Sequence, residues 1–192
     1  MLDNKLILRK LMDSKYILFS LGILFLVFCI AIDPTGLGNN KGFSYYGTMA
    51  RTLFPYSLSL LFMAIFVYPG KRKYPYKLNI LTRLISFLYL FLILVPYTFS
   101  SIFNNLHIAT GSSLFFLQLV ASLLFYLATK KNSFLYSLII QFLFGVASGL
   151  FLIYPKGYLI QFQVIYQITF MIAYLNFLRF IYAKKSTKNV KI

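Results

Sequence analysis

Acidic side chains are almost missing from this 192-residue chain. Asp3, Asp13 and Asp33 are the only three, no Glu occurs, and none of the three lies inside an apolar run. Proton or ion coupling through a carboxylate at membrane depth is therefore excluded. His107 is the only histidine and Cys29 the only cysteine. One His cannot supply both axial ligands of a haem, nor, with no Glu, build an intramembrane metalloprotease site. One Cys forms no intramolecular disulfide and no cysteine metal cluster. No lysine falls in mid-run, where a Schiff base would be held. Ser112 or Ser113 can be paired with His107 on paper, but no carboxylate stands nearby to orient the base. No cofactor, no metal and no enzyme activity are expected.

What the chain does have is apolar length. Hydrophobic residues make up 60% and charged residues 11%, where a soluble domain is nearer about half and about a quarter. A small fold still needs a polar surface, so lipid is the natural solvent for the excess. The formal charge of +16 raises the question of nucleic acid, which would need one accessible basic face. The basic residues instead form short clusters between apolar runs, which is the pattern of membrane topology. Nucleic acid is excluded as a partner. Anionic lipid head groups are favoured, at roughly 1 kcal/mol per basic residue near the surface.

Six runs approach the ~20 residues that cross a bilayer as helix: 16–32, 53–69, 80–99, 112–129, 134–154 and 157–182. The predicted fold is all-α, a polytopic bundle of six transmembrane helices. A basic segment, 1–15, precedes the transmembrane domain, 16–182, and a basic tail, 183–192, follows it. The basic start reads as a retained signal anchor, because no small-x-small cleavage site follows between Cys29 and Pro34. Phe28 is too bulky for a lipoprotein cleavage site, so Cys29 reads as a buried helix thiol. Sixteen of the nineteen Lys and Arg residues fall at the two ends and in alternate connections, leaving only Lys41, Arg51 and Lys156 on the other side. Positive charge stays inside, which places both termini in the cytoplasm and the protein in the cytoplasmic membrane. Segments 33–52 and 100–111 become external loops, and His107 a loop residue.

Polar side chains recur at helical spacing. In the fifth run Gln141, Gly145 and Gly149 follow at intervals of four, with Ser137 before them. Gln118 and Ser122 pair in the fourth, Gln163 and Gln167 in the sixth. Small and amide residues of this kind pack membrane helices together. That is the plain reading, and it is adopted for Gln141, Gly145 and Gly149. The functional reading makes His107, Ser44, Gln163, Gln167 and Gln118 line an external-side pocket for a lipid head group or small ligand.

Two short elements carry a likeness. Phe43-Ser44-Tyr45-Tyr46-Gly47 resembles a Ser-x-x-Gly element after a first external loop, with Tyr45 or Tyr46 where an acidic residue is often found. Pro96-Tyr97-Thr98-Phe99-Ser100, then Leu106-His107-Ile108-Ala109 and Phe115, resembles a Pro…His…Ala…Phe pattern between the third and fourth helices. Both resemble the six-helix superfamily that joins prokaryotic domains of unknown function with DRAM (damage-regulated autophagy modulator) and Frag-type lipid-remodelling proteins. The resemblance implies that Ser44 and His107 face a common external-side site. The leading expectation is a non-enzymatic bundle binding lipid or a hydrophobic ligand there. Alternatives are a membrane-embedded immunity or accessory subunit working through helix contacts with a membrane-protein partner, and a small transporter or permease-like subunit.

Overall fold

The computed structural model describes residues 4–38, 41–69, 75–95, 97, 100–153 and 157–188. Nearly all of them lie in six α-helices: α1 (Asn4–Ile32), α2 (Ala50–Val67), α3 (Tyr76–Leu94), α4 (Ser101–Thr129), α5 (Asn132–Ile153) and α6 (Leu159–Lys188). Among the described residues there is no strand. Each helix holds a stretch long and apolar enough to cross a membrane, from 18 residues in α2 to 29 in α4. These rise about 27 and about 43 Å, against about 30 Å of hydrocarbon.

The helices pack mainly in chain order, and α6 closes the bundle by resting on both α1 and α4. α6 is the most enclosed. Phe170, Met171, Ala173, Tyr174, Phe177 and Leu178 are all buried, leaving a narrow outward stripe at Ile165, Ile172 and Arg179. Outer helices show the reverse pattern. Phe142, Leu143 and Val146 on α5, and Leu24, Val27 and Phe28 on α1, turn apolar side chains outward. Hydrocarbon solvates these as well as a core would, so the polar groups turn inward. The Ser59 hydroxyl donates to the Gly22 carbonyl at 2.7 Å, and Ser86 to the Ala64 carbonyl at 2.8 Å. These bonds tie α2 to α1 and α3 to α2.

Two short 3₁₀ segments, Pro34–Gly38 and Gly42–Thr48, sit between α1 and α2 and cap one end of the bundle. At the opposite end the Arg179 guanidinium donates to the Tyr16 hydroxyl, joining α6 to α1. The start of α1 and the end of α6 therefore lie at the end away from the cap.

Helix boundaries differ from expectation in three places. α1 begins at Asn4 and α6 runs to Lys188, so the basic end segments are extensions of the spans rather than separate pieces. The segment 100–111 is not a loop: it forms the N-cap and first three turns of α4, with the Ser100 hydroxyl accepting the Phe103 N–H at 3.3 Å. Asn104, Asn105 and His107 read as loop residues, but no proline interrupts them, and one Gly at position 111 costs a helix only about 1 kcal/mol. Pro55 lies in the second turn of α2 rather than the first, where its missing N–H leaves the Arg51 carbonyl without a helical partner.

Lys15 marks orientation in the sequence but holds the fold together as well. It is buried, and its ammonium donates to the carbonyls of Ile65 (2.9 Å), Phe66 and Tyr68 (3.1 Å) at the end of α2. Those carbonyls have no helical donor left, and the negative end of the helix dipole faces the charge. Replacing Lys15 with Met keeps the bulk and removes the donors. The expected loss is about 1.5–3 kcal/mol, the worth of a hydrogen bond to a charged group, read as a lower melting temperature in detergent.

Candidate functional site

Asp33 organises the cap. Its Oδ1 accepts from the Thr35 N–H at 3.1 Å and the Thr35 hydroxyl at 2.5 Å. Its Oδ2 accepts from the Tyr45 hydroxyl at 3.0 Å and Arg51 Nη2 at 2.7 Å. One carboxylate, only 2% exposed, thus fastens both 3₁₀ segments to the first turn of α2. Donated hydrogen bonds favour its charged form. The Thr35 hydroxyl leads, Arg51 and Tyr45 add to it, and together they outweigh the opposing effect of burial, holding the pKa at about 2.

Two glutamines near the start of α6 hold the cap from beneath. The Gln161 amide donates to the Leu37 carbonyl at 3.2 Å, and Gln163 Oε1 accepts the Phe43 N–H at 3.0 Å. Gly42, with φ of +61°, makes this possible. A Cβ at Gly42 would stand 2.9 Å from Gln163 Cδ, so the position needs both glycine's left-handed freedom and its lack of a side chain.

The next residue but one, Ser44, is thereby aimed inward. Its hydroxyl lies 2.6 Å from His107 Nε2, and His107 Nδ1 lies 2.5 Å from the Val95 carbonyl. A carbonyl can only accept, so Nδ1 carries the proton. In the neutral ring Nε2 is then the acceptor, and Ser44 donates to it. Val95 is the C-cap of α3, where the helix presents its negative end. The Tyr97 ring stands edge-on to the imidazole at 5.6 Å, with Lys41 Nζ 5.9 Å from the Tyr97 centroid. Tyr56, also buried, adjoins Ser44.

These groups border a cavity of about 320 Å³ in the cap-side half of the bundle. Ile23, Leu60, Met63, Leu92, Leu114 and Val164 supply apolar wall. Deeper in, Tyr89 and Gln167 add a polar floor, where the Tyr89 hydroxyl donates to Gln167 Oε1 at 2.6 Å. Ser112 borders this cavity and also a groove between α3 and α4 lined by Leu84, Leu88, Ser113, Phe116 and Leu117. Ser112 is thus common to the inner and outer sides of the α3–α4 seam.

His107, Ser44, Gln163 and Gln167 all line the cavity. Gln118 does not. It stands behind the wall, donating to the Tyr89 hydroxyl at 2.7 Å and to Gln167 Oε1 at 3.0 Å, with its own Oε1 buried and unpartnered. Gln141 bonds Ser122 across the α4–α5 contact, and Gly145 packs against Tyr166, whose ring would lie 3.1 Å from an added Cβ. Gly149 departs from the packing role expected of it. No atom lies within 4 Å of where its Cβ would be, and it lines the cavity. His107 meets Ser44, from 63 residues away, rather than Ser112 or Ser113.

Tyr56, Tyr89, Tyr97 and Lys41 were not singled out in the sequence. Tyr89 carried a usable signal: tyrosine favours the ends of membrane spans, so one placed well inside a run points to a buried polar partner. The Val95 carbonyl carried none, because a main-chain acceptor has no residue type. Among the described residues, no group of His, Cys, Asp and Glu could hold a metal ion.

Fold and cavity together define a multi-pass, all-α membrane protein with a mixed polar and apolar chamber beneath a 3₁₀ cap. Compared with known protein families, curated proteins and solved structures, the chain matches none.

Proposed function

We propose that this protein binds a lipid, or an amphipathic ligand like one, in the chamber beneath the cap. The cap lies on the external side of the cytoplasmic membrane under this reading. Its support is the charge pattern: Lys41 and Arg51 stand at the cap end, and in the sequence sixteen of the nineteen Lys and Arg residues fall at the two ends and in the alternate connections. Both termini are then cytoplasmic, where the basic clusters meet anionic head groups.

The observation that carries the reading is Ser112, shared by the inner chamber and the lipid-facing groove. A chamber of about 320 Å³ is at the small end of the range for ligand pockets, about 300–1,000 Å³. It suits a head group and the first carbons of a chain, while the rest of the chain lies in the α3–α4 groove. Hydrogen-bonding groups from Ser44, His107, Gln163 and Gln167 meet the polar part. The nearness of Ser44 to His107 also supports the likeness to the DRAM and Frag-type superfamily.

Gly111 gives a clean test. It lines the chamber and has no atom within 4 Å of a would-be Cβ, so Gly111→Leu fills space without a clash at that atom. Leucine is also the better helix former, by up to about 1 kcal/mol. The purified protein is expected to carry phospholipid and to melt higher when it is added back. Gly111→Leu should melt at least as high without lipid and lose the lipid-dependent rise. An unchanged rise in the variant would overturn the assignment of the chamber. A stoichiometric protein partner with no retained lipid would favour the accessory-subunit reading, and solute flux in liposomes the transporter reading.

A further inference from the structure

We propose that Ser44 is an acyl-accepting nucleophile and His107 its general base, so that the chamber moves acyl groups from lipid esters; the inference rests on lipid entering that chamber. The chemistry follows from three bonded positions. Ser44 donates to Nε2 at 2.6 Å, and Nδ1–H donates to Val95 at 2.5 Å, so the imidazole is held in the one tautomer that can take the serine proton. Nucleophile, base and orienting acceptor come from the cap, α4 and the end of α3; the first two line the chamber, and the third holds the imidazole from outside its wall.

A carboxylate usually occupies the third place, and there is none here. The C-terminus of α3 takes over part of that role. It presents about half a negative charge to the ring, which favours an imidazolium there. Swapping the triad Asp for Asn elsewhere slows catalysis by about 10⁴-fold. A carbonyl fixes the tautomer that Asn loses but lacks a full charge, so slow turnover is expected.

The step balances without a further reagent. Ser44 Oγ attacks the ester carbonyl carbon of an acyl lipid as its proton passes to His107 Nε2. The tetrahedral intermediate collapses, the ester C–O bond breaks, and the leaving alcohol takes the proton from Nε2. Ser44 is left acylated and a lyso-lipid departs. Water or the hydroxyl of an acceptor lipid then attacks the acyl-serine, giving its proton to His107, which returns it to Ser44. Tyr56 lines the same chamber as Ser44, and under this proposal its hydroxyl would meet the carbonyl oxygen as it gains charge. Acyl rather than phosphoryl transfer fits the lining: among the described residues Lys41 is the only cationic side chain on the wall and no carboxylate lines it, while phosphoryl transfer calls for clustered positive charge.

An alkyl fluorophosphonate bearing a reporter tests this on the full-length protein in native membranes and in detergent. The expected result is one adduct per chain, mapped to Ser44 by peptide mass. Labelling should be absent in Ser44→Ala, slowed about 100-fold or more in His107→Ala, and kept in Ser133→Ala, an exposed serine at the start of α5. In parallel, vesicles of phosphatidylethanolamine and phosphatidylglycerol should yield lyso-phospholipid with wild-type protein and not with Ser44→Ala. The phospholipid-dependent rise in melting temperature is measured on the same wild-type protein as the adduct, which separates the two readings. Folded, lipid-stabilised protein with no adduct at Ser44 would overturn the nucleophile and leave lipid binding standing. An adduct at Ser44 formed equally fast in a folded His107→Gln would overturn the base. Loss of both lipid stabilisation and adduct in the wild type would remove both readings together.

Discussion

Gly42→Ala is expected to unfasten the cap and lower stability by about 2–3 kcal/mol. Two costs combine. Alanine in the left-handed region loses roughly 1–2 kcal/mol relative to its normal backbone, and Gly42 has φ of +61°. The new Cβ also meets the head of Gln163, with Cδ at 2.9 Å. That flexible side chain can withdraw, but it then gives up the bond from the Phe43 N–H, worth about 0.5–1.5 kcal/mol. Chemical denaturation in mild detergent measures the sum. Gly42→Asn divides it, because asparagine tolerates the left-handed backbone yet keeps the clash. Gln163→Ala supplies a cycle: with the amide removed, Gly42→Ala should cost less than it does alone, since the two positions are in contact. The functional effect should exceed the stability effect. Ser44 reaches the chamber only while Gly42 and Phe43 hold their geometry, so lipid-dependent stabilisation and labelling of Ser44 should both fall.

Asp33 predicts a pH window. Its folded pKa of about 2 lies below the ordinary value of 3.8. A depressed carboxylate contributes stability that is fully present above the unfolded pKa and lost as pH falls toward the folded one. The melting temperature should therefore hold steady from neutrality to about pH 4 with respect to this group, then decline between about pH 4 and pH 2. Asp33→Asn should begin lower, because Arg51 loses its counter-charge and the Thr35 and Tyr45 hydroxyls face a neutral amide. It should also lack the decline in that window. Subtracting the two curves isolates Asp33 from Asp3 and Asp13. A difference curve that stays flat from pH 5 to pH 2 would show that the carboxylate does not fasten the cap. Asp33→Ala should be the most damaging of the cap variants, since every partner of the carboxylate is left open at once.

Sequence reading reached some of the site. Gln163 and Gln167 were picked out because an i, i+4 amide pair inside an apolar run must find polar company, and both line the chamber. Ser44 and His107 came together through the likeness of two short elements to a family, not through spacing: nothing in a separation of 63 residues announces a 2.6 Å contact. The pairing of His107 with Ser112 or Ser113, set aside in the sequence for want of an orienting carboxylate, is not the one formed: 100–111 is helix, which fixes the direction in which His107 points. Gln118 looked like its amide partners, but its place on α4 turned it behind Tyr89. Gly149 matched a packing pattern with Gly145, yet only Gly145 meets a neighbouring helix.

By itself the sequence determined that the chain is six apolar helices, because hydrocarbon admits no other way of satisfying that much backbone. It also set the alternation of basic ends from which an orientation is inferred. Both depend on properties that add along the chain. Only the tertiary structure decided that α6 is the enclosed helix, that Asp33 gathers both 3₁₀ segments onto α2, and that a main-chain carbonyl at the end of α3 fixes the tautomer of His107. Those depend on which faces meet across the bundle. Lipid solvates every apolar face equally, so hydrophobicity does not choose among them; the choice falls to a few polar contacts and close approaches between residues far apart in the chain.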